Sequence, residues 1–315
     1  MRATPVSQDT AALEEPGGVS PRTQNKLVIF LFLLPAFILF FVFLAYPILQ
    51  SVYYSFFDWA GFGPAEDFVA LDNFRRILTD EIFHKAIING IIIVGMSLLI
   101  QLPFSLALAM MVGRDLPGRA FFRTIFFMPY VFSEVITAIM WSSIMNPDPS
   151  RGFLNAVWTL IPGAEPILWL AEPGIVLTSI FIVLTWKFFG FHLLLYMAGL
   201  QNIPREIEEA AIIDGASRPQ LFFRIILPLL SSTIRTSVYL SVLGSLQQFA
   251  LIWLMTKGGP VNASEVMSTY MYRYGFVRFD LGYGSAVAIV MLLISLLFSV
   301  LYLRLFRQRD YLSGL

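Results

Sequence analysis

Ser241, Gly244, Ser245 and Gln248 lie three and four residues apart in an otherwise apolar run, with Ser237 one turn earlier. That spacing puts them along one side of a helix. A second run carries Tyr130, Glu134, Thr137 and Trp141 at similar spacing, and a third carries Lys187 beside Trp186. Hydroxyls, amides and aromatic rings with few charges suit one kind of chemistry. They hydrogen-bond the hydroxyls of a polyol and offer flat faces to its C–H groups. Lys187 adds a cation that a phosphorylated cargo could use. For the Ser/Gly stripe, close helix packing is the first reading. Gln248 and Glu134 are harder to explain as packing, because a polar group in an apolar span is costly unless it has work there.

Catalysis is not indicated. The chain has no Cys, so thiolate nucleophiles and Cys-based zinc sites are excluded. Its two histidines, His84 and His192, lack metal-ligand spacing; His192 reads as buried and hydrogen-bonded. No G-x-S-x-G elbow occurs, and no carboxylate pair lies within the apolar runs. The phosphate-cradling G-x-x-x-x-G-K-[ST] loop is also missing, so energy must come from a partner or an ion gradient. A net charge of zero gives no reason to expect a nucleic-acid partner.

The runs that carry these residues are long. Hydrophobic residues make up 57% of the 315, charged residues only 13%, and the mean hydropathy is +0.73. A soluble domain would be about one-quarter charged. Six stretches reach the roughly 20 apolar residues a membrane span needs: 27–50, 86–112, 124–145, 175–200, 226–256 and 281–303. The expectation is an all-α, polytopic membrane protein with six transmembrane helices, a membrane domain over 27–306, and Pro47 weakening the first helix. Residues 1–26 read as a disordered cytoplasmic tail rather than a signal peptide, since Glu14 and Glu15 stand where a basic region should be. Residues 307–315 read as a second cytoplasmic tail.

The basic residues set the expected orientation. Twelve Lys and Arg fall on the side of the termini: Arg2, Arg22, Lys26, Arg114, Arg119, Arg123, Arg205, Arg218, Arg224, Arg304, Arg307 and Arg309. Seven fall opposite: Arg75, Arg76, Lys85, Arg151, Lys257, Arg273 and Arg278. Both termini are therefore expected in the cytoplasm. Among the outer loops, 58–85 contains DNFRRILTDEIF, which could form a short helix on the lipid surface. The 146–173 loop holds five prolines and should be compact and irregular.

Between the fourth and fifth spans lies a polar stretch, EEAAIIDGASRPQLFFRIILPLL, from Glu208 to Leu230. Asn202 can cap a helix over 203–216, with Pro204 in its first turn. Ile207, Ala210 and Ala211 form a narrow apolar stripe flanked by Glu206, Glu208 and Glu209. Gly215 can end the helix and Ser217 can cap the next, while Pro228 breaks one rung of the ladder near the membrane. An ordinary connector lying on the bilayer is one reading. A docking helix is the other: bulky apolar and basic faces anchor to lipid, whereas an Ala-lined face suits close approach to a protein.

Glu209, Ala210, Ala211, Gly215, Ile225, Leu227 and Pro228 reproduce the pattern EAA-x3-G-x9-I-x-LP. This resembles the signature of membrane subunits of ATP-binding-cassette importers. The blocks LPAFILFFVFLAYPILQSVYYSF, LDNFRRIL, GRAFFRTIFFMPYVFSEVI, WKFFGFHLLLYMAGLQNIP and TKGGPVNASEVMSTYMYR look like the sugar-importing branch related to the maltose and glycerol-3-phosphate permeases. The opening block resembles the first permease of a heteromeric pair. The resemblance extends over nearly all of the chain after residue 26.

It implies a type I importer permease fold in a bacterial cytoplasmic (inner) membrane. It further implies that 203–216 is the coupling helix, with Glu209, Ala210, Ala211, Asp214 and Gly215 at the contact with an ATPase. The implied partners are a second permease, two ATP-binding subunits that hold ATP and Mg, an extracytoplasmic solute-binding protein and membrane lipid. No cofactor is implied in this chain. The rival reading, an ion-coupled secondary transporter acting alone, would call for an inverted repeat, broken helices and charges near the midplane. Only one EAA-like segment occurs, and the spans do not pair into similar halves.

Overall fold

The computed structural model describes residues 21–112 and 118–306. Sixteen α-helices and four π turns are described among them, with a single isolated bridge, Phe57 to Phe68, in place of any strand. The chain divides into two units, 1–50 and 51–315.

In the first unit, α1 (Pro21–Phe40) passes through a π turn (Phe41–Ala45) into α2 (Tyr46–Tyr54), whose last residues belong to the second unit. The apolar stretch Val28–Tyr54 is 27 residues long. At 1.5 Å per residue it rises about 40 Å, enough to cross a hydrocarbon layer of about 30 Å. The helix starts at Pro21, six residues before the expected boundary, since proline is at home in a first helical turn. Of the two expected tails, 1–20 and 307–315 lie outside the described residues.

The second unit begins with α3 (Asp72–Thr79) and α4 (Glu81–Met96), which continues through a π turn (Ser97–Gln101) into α5 (Leu102–Val112). Asp80 caps α4 by accepting from the N–H groups of Ile82 at 2.8 Å and Phe83 at 3.0 Å, so this span starts at 81 rather than 86. There follow α6 (Arg119–Val131), α7 (Glu134–Ile144), α8 (Phe153–Trp158), α9 (Val176–Gln201) and α10 (Arg205–Ile213). After these come α11 (Arg218–Leu221), a π turn (Phe222–Ile226), α12 (Leu227–Leu229), α13 (Ser231–Gln247), α14 (Ala250–Thr256), α15 (Met267–Tyr272), a π turn (Arg273–Val277) and α16 (Leu281–Leu305).

Among the described residues, four helices are long and apolar enough to span a membrane unaided, and two bent pairs bring the total to six if each pair is one span. The expected straight span 124–145 is instead broken, with α6 and α7 meeting at 96°. Ser133 explains the restart: its Oγ caps α7 by accepting from the Ile136 N–H at 3.2 Å. The expected span 226–256 is interrupted twice. It bends by 69° near Leu230, and α13 ends at Gln247, before α14 begins at Ala250.

Three of the four π turns share a cause. Each closes with an i to i+5 bond, from the N–H of Tyr46, Leu102 or Leu227, and the next residue is proline: Pro47, Pro103 or Pro228. Proline has no N–H to donate, and its ring crowds the carbonyl four residues back. One extra residue in the turn moves that carbonyl aside and lets the helix go on.

The centre of the second unit is α9, buried along most of its length and packed against α5, α6 and α13. At Gly190 it meets α6 backbone to backbone, for a Cβ there would stand 1.9 Å from the Phe126 carbonyl oxygen. Loops are fixed by buried amides. Asn155, 0% exposed, donates to the carbonyls of Asn146, Pro147 and Ile167 and accepts from the Ile167 N–H at 2.9 Å. Asn89 donates to the carbonyls of Ala263 and Glu265. Helix α3 turns one face to the protein: Ile77 is buried with Tyr274 and Tyr283 in a core shared with α16.

Candidate functional site

A cavity of ≈ 230 Å³ opens where the π turn after α4, the end of α6, α9 and α13 converge. From α13 come Ser241, Gly244 and Ser245, from just past its end Gln248, and from α6 Tyr130; the sequence singles out all five. The structure adds Ser97 and Gln101 from the π turn, and Leu184, Phe188, Phe191 and His192 from α9. Ser97 and Gln101 sit in a run with no charge, and their meaning depends on facing α13 across the bundle. A wider groove of ≈ 750 Å³ lies elsewhere, between α13 and the end of α16. The smaller cavity is the better candidate, because buried polar atoms without partners line it.

Those atoms are Gln248 Nε2 and Ser241 Oγ, both fully buried and without a hydrogen-bond partner. A buried polar atom left unpaired costs free energy, so each would gain from a partner brought within its reach. The surrounding polar groups are held. Ser97 Oγ and Ser245 Oγ lie 3.3 Å apart, and Gln101 Nε2 donates to the Leu184 carbonyl at 3.5 Å. His192 Nδ1 shares a hydrogen bond of 2.8 Å with Ser237 Oγ, tying α9 to α13. The ring of Tyr130 stacks on Phe191 with centroids 5.2 Å apart, which supplies an aromatic wall.

Gln248 owes its position to the gap between α13 and α14. Its backbone is extended (φ −60°, ψ 123°), and its carbonyl accepts from Ser268 Oγ at 2.5 Å. A hydroxyl from α15 thus satisfies a carbonyl that the broken helix leaves bare.

Three residues picked from the sequence lie away from the cavity wall. Trp141 packs in the core beneath it, edge-to-face with Trp186. Glu134 sits in the first turn of α7. Lys187, 3% exposed, turns its ammonium to the carbonyls of Tyr130 at 3.4 Å and Phe132 at 2.5 Å. These carbonyls close α6 where the span breaks, and a cation at a helix C-terminus is well placed electrostatically.

The segment after α9 has a sharp geometry of its own. Helix α10 starts at Arg205 with Pro204 at its cap position, so Asn202 does not cap it and the helix is shorter than 203–216. Its end is a Schellman closure: Gly215 has φ +82°, its N–H reaches the Ile212 carbonyl, and the Ala216 N–H reaches that of Ala211. Gln220 Oε1 then accepts from the Ser217 N–H at 2.8 Å and opens α11.

Ala211 faces inward, while Glu209, Ala210, Asp214 and Gly215 are exposed. So are two bulky residues that the stripe does not include, Ile212 at 59% and Ile213 at 85%. Ile225 and Leu227 are half-buried and Ile226 is buried. Beyond Pro228, Leu230 is 1% exposed and packs on Gly199 of α9. From there α13 runs unbroken to the cavity.

Residues 101–310 match the family described as binding-protein-dependent transport system inner membrane component. The chain is similar to the probable ABC transporter permease protein YurN of Bacillus subtilis, at 34% identity over 288 residues, covering 90% of this chain and 97% of that protein. It is 30% identical over 317 residues to the diacetylchitobiose uptake system permease protein NgcF of Streptomyces coelicolor, covering 94% of this chain and 89% of that one. In structure it resembles a chain of a bacterial alginate ABC transporter crystallised with an alginate pentasaccharide-bound periplasmic protein. There the TM-score is 0.80 at 25% identity, with 91% of this chain and 96% of that chain covered.

Proposed function

Because the chain belongs to the family of binding-protein-dependent transport system inner membrane components, we propose that it works as a lever between an ATPase and a carbohydrate path. It is a multi-pass permease subunit of an ABC importer. Its cargo is a carbohydrate, an oligosaccharide or related polyol, with a glycerophosphate within the range, as the named relatives suggest. A solute-binding protein delivers that cargo from outside.

One observation carries the lever: a short run of chain, 216–230, leads from the turn around Gly215 into α13, whose far end is followed by Gln248 in the cavity wall. Ile212 and Ile213 are exposed next to Glu209 and Asp214 in the chain, an apolar tip that suits a protein surface. In this reading Glu209, Ala210, Ala211, Asp214 and Gly215 meet an ATP-binding subunit, while Ile225, Leu227 and Pro228 anchor the segment to the membrane domain. Two such ATPases bind ATP and Mg, and a second, different permease completes the pathway. The turn, with both chain termini, lies on the cytoplasmic side of a bacterial inner membrane. Nucleotide-driven closure pushes the turn, Leu230 presses on Gly199, and α13 moves the polar stripe relative to α9. The chain does have two broken spans, a feature a secondary transporter would share, but the family and the capped turn favour ATP-driven import.

The test is purification of the chain with its associated proteins, followed by ATPase assays in lipid. The expected result is co-purifying ATP-binding subunits whose turnover rises when loaded binding protein is added. A chain that purifies alone, with uptake following a proton gradient, would overturn the reading.

A further inference from the structure

We infer that the cargo of this chain is uncharged: a neutral saccharide or polyol, with phosphorylated, sulfonated and uronic sugars excluded. The inference rests on the importer reading above and narrows its substrate class.

The argument starts from where the charges are. Neither Lys, Arg, Asp nor Glu contributes to the wall of the ≈ 230 Å³ cavity. Lys187, next in the chain to the lining residue Phe188, is committed elsewhere. Its ammonium binds the carbonyls of Tyr130 and Phe132 and is 3% exposed. Withdrawing it to meet an anion would leave those carbonyls bare at the break of the span. His192 is held at Nδ1 by a hydroxyl, and no carboxylate lines the wall beside it to favour a charged ring.

An anion placed against this wall would lose its water and gain no counter-charge from this chain, a heavy cost in apolar surroundings. What the wall does offer is matched to hydroxyl groups. Gln248 Nε2 donates, Ser241 Oγ both donates and accepts, and neither has a partner within the protein. The stacked rings of Tyr130 and Phe191 suit the apolar face of a sugar ring.

The experiment uses the complete importer, with its partner permease, ATPases and binding protein, in proteoliposomes. The probes are radiolabelled trehalose, cellobiose and maltose on one side, and glycerol 3-phosphate, glucose 6-phosphate and an alginate trisaccharide on the other. ATP-driven accumulation confined to the neutral set is expected. Accumulation of any anionic probe above the neutral ones overturns the inference while leaving ATP-driven import intact. ATP turnover that ignores the binding protein, with no probe accumulating, overturns the importer reading and this inference with it. As a second arm, Gln248→Lys puts an ammonium into the wall and is expected to lower neutral uptake at least tenfold in a complex that still assembles. Unchanged uptake by that variant counts against the cavity as the cargo's site.

Discussion

Lys187 and Phe132 are 55 residues apart in the chain, yet the ammonium of one sits 2.5 Å from the carbonyl oxygen of the other. The contact closes the exposed end of α6 at the break in its span. Replacing Lys187 with Met should leave the carbonyls of Tyr130 and Phe132 unpaired, at a cost of about 1–3 kcal/mol for each. Thermal unfolding of the detergent-solubilised complex should show a clear drop in Tm. Lys187→Arg, which keeps donors in place, should lose less.

Gly190 lets α9 and α6 touch through their backbones. Gly190→Ala introduces a Cβ at 1.9 Å from the Phe126 oxygen, so the helices must part. Overpacking of this kind costs about 1–3 kcal/mol. Folded yield should fall for Ala and collapse for Leu, as read by size-exclusion chromatography.

At the turn around Gly215, shape and contact can be separated. Nothing lies within 4 Å of a Cβ built on Gly215, but its φ is +82°. Gly215→Val should cost about 1–2 kcal/mol in backbone strain and weaken binding of the ATPase subunit by distorting the turn. Ile213→Asp alters a side chain that is 85% exposed, so stability should be unchanged. Its binding to the ATPase should fall at least tenfold. Pull-down and Tm measured on both variants separate the two effects.

Asn155 organises the proline-rich loop through four hydrogen bonds. Asn155→Ala should cost about 2–4 kcal/mol at roughly 1 kcal/mol per bond and open residues 146–173 to protease. Asn155→Asp should not rescue, since a carboxylate cannot donate to the three carbonyls.

The sequence and the structure agree where one residue carries its own meaning. Gly215, after an amphipathic stripe, ends its helix as its type suggests, and Gln248, polar in an apolar run, lines a cavity. They part where meaning lies in a distant partner. Lys187 reads as a charge awaiting a ligand until Phe132 is seen beside it. Ser133 is a cap in the middle of what composition presents as one span, because apolar content says nothing about direction. Ser97 and Gln101 gain a role only through the register that brings them opposite α13.

The prolines and their wide turns also constrain how this protein can change. Each added residue rotates all that follows by about 100°, so Pro228 and the extra residue in 222–226 are a matched pair that sets the phase of α13. Pro228→Ala alone leaves a bulge with no cause, and deleting one residue of the bulge alone drives the ring into a carbonyl. Pro228→Ala keeps the length and the phase and should leave transport largely intact, whereas deleting one residue of 222–226 turns α13 away from α9 and should abolish it, with or without the proline.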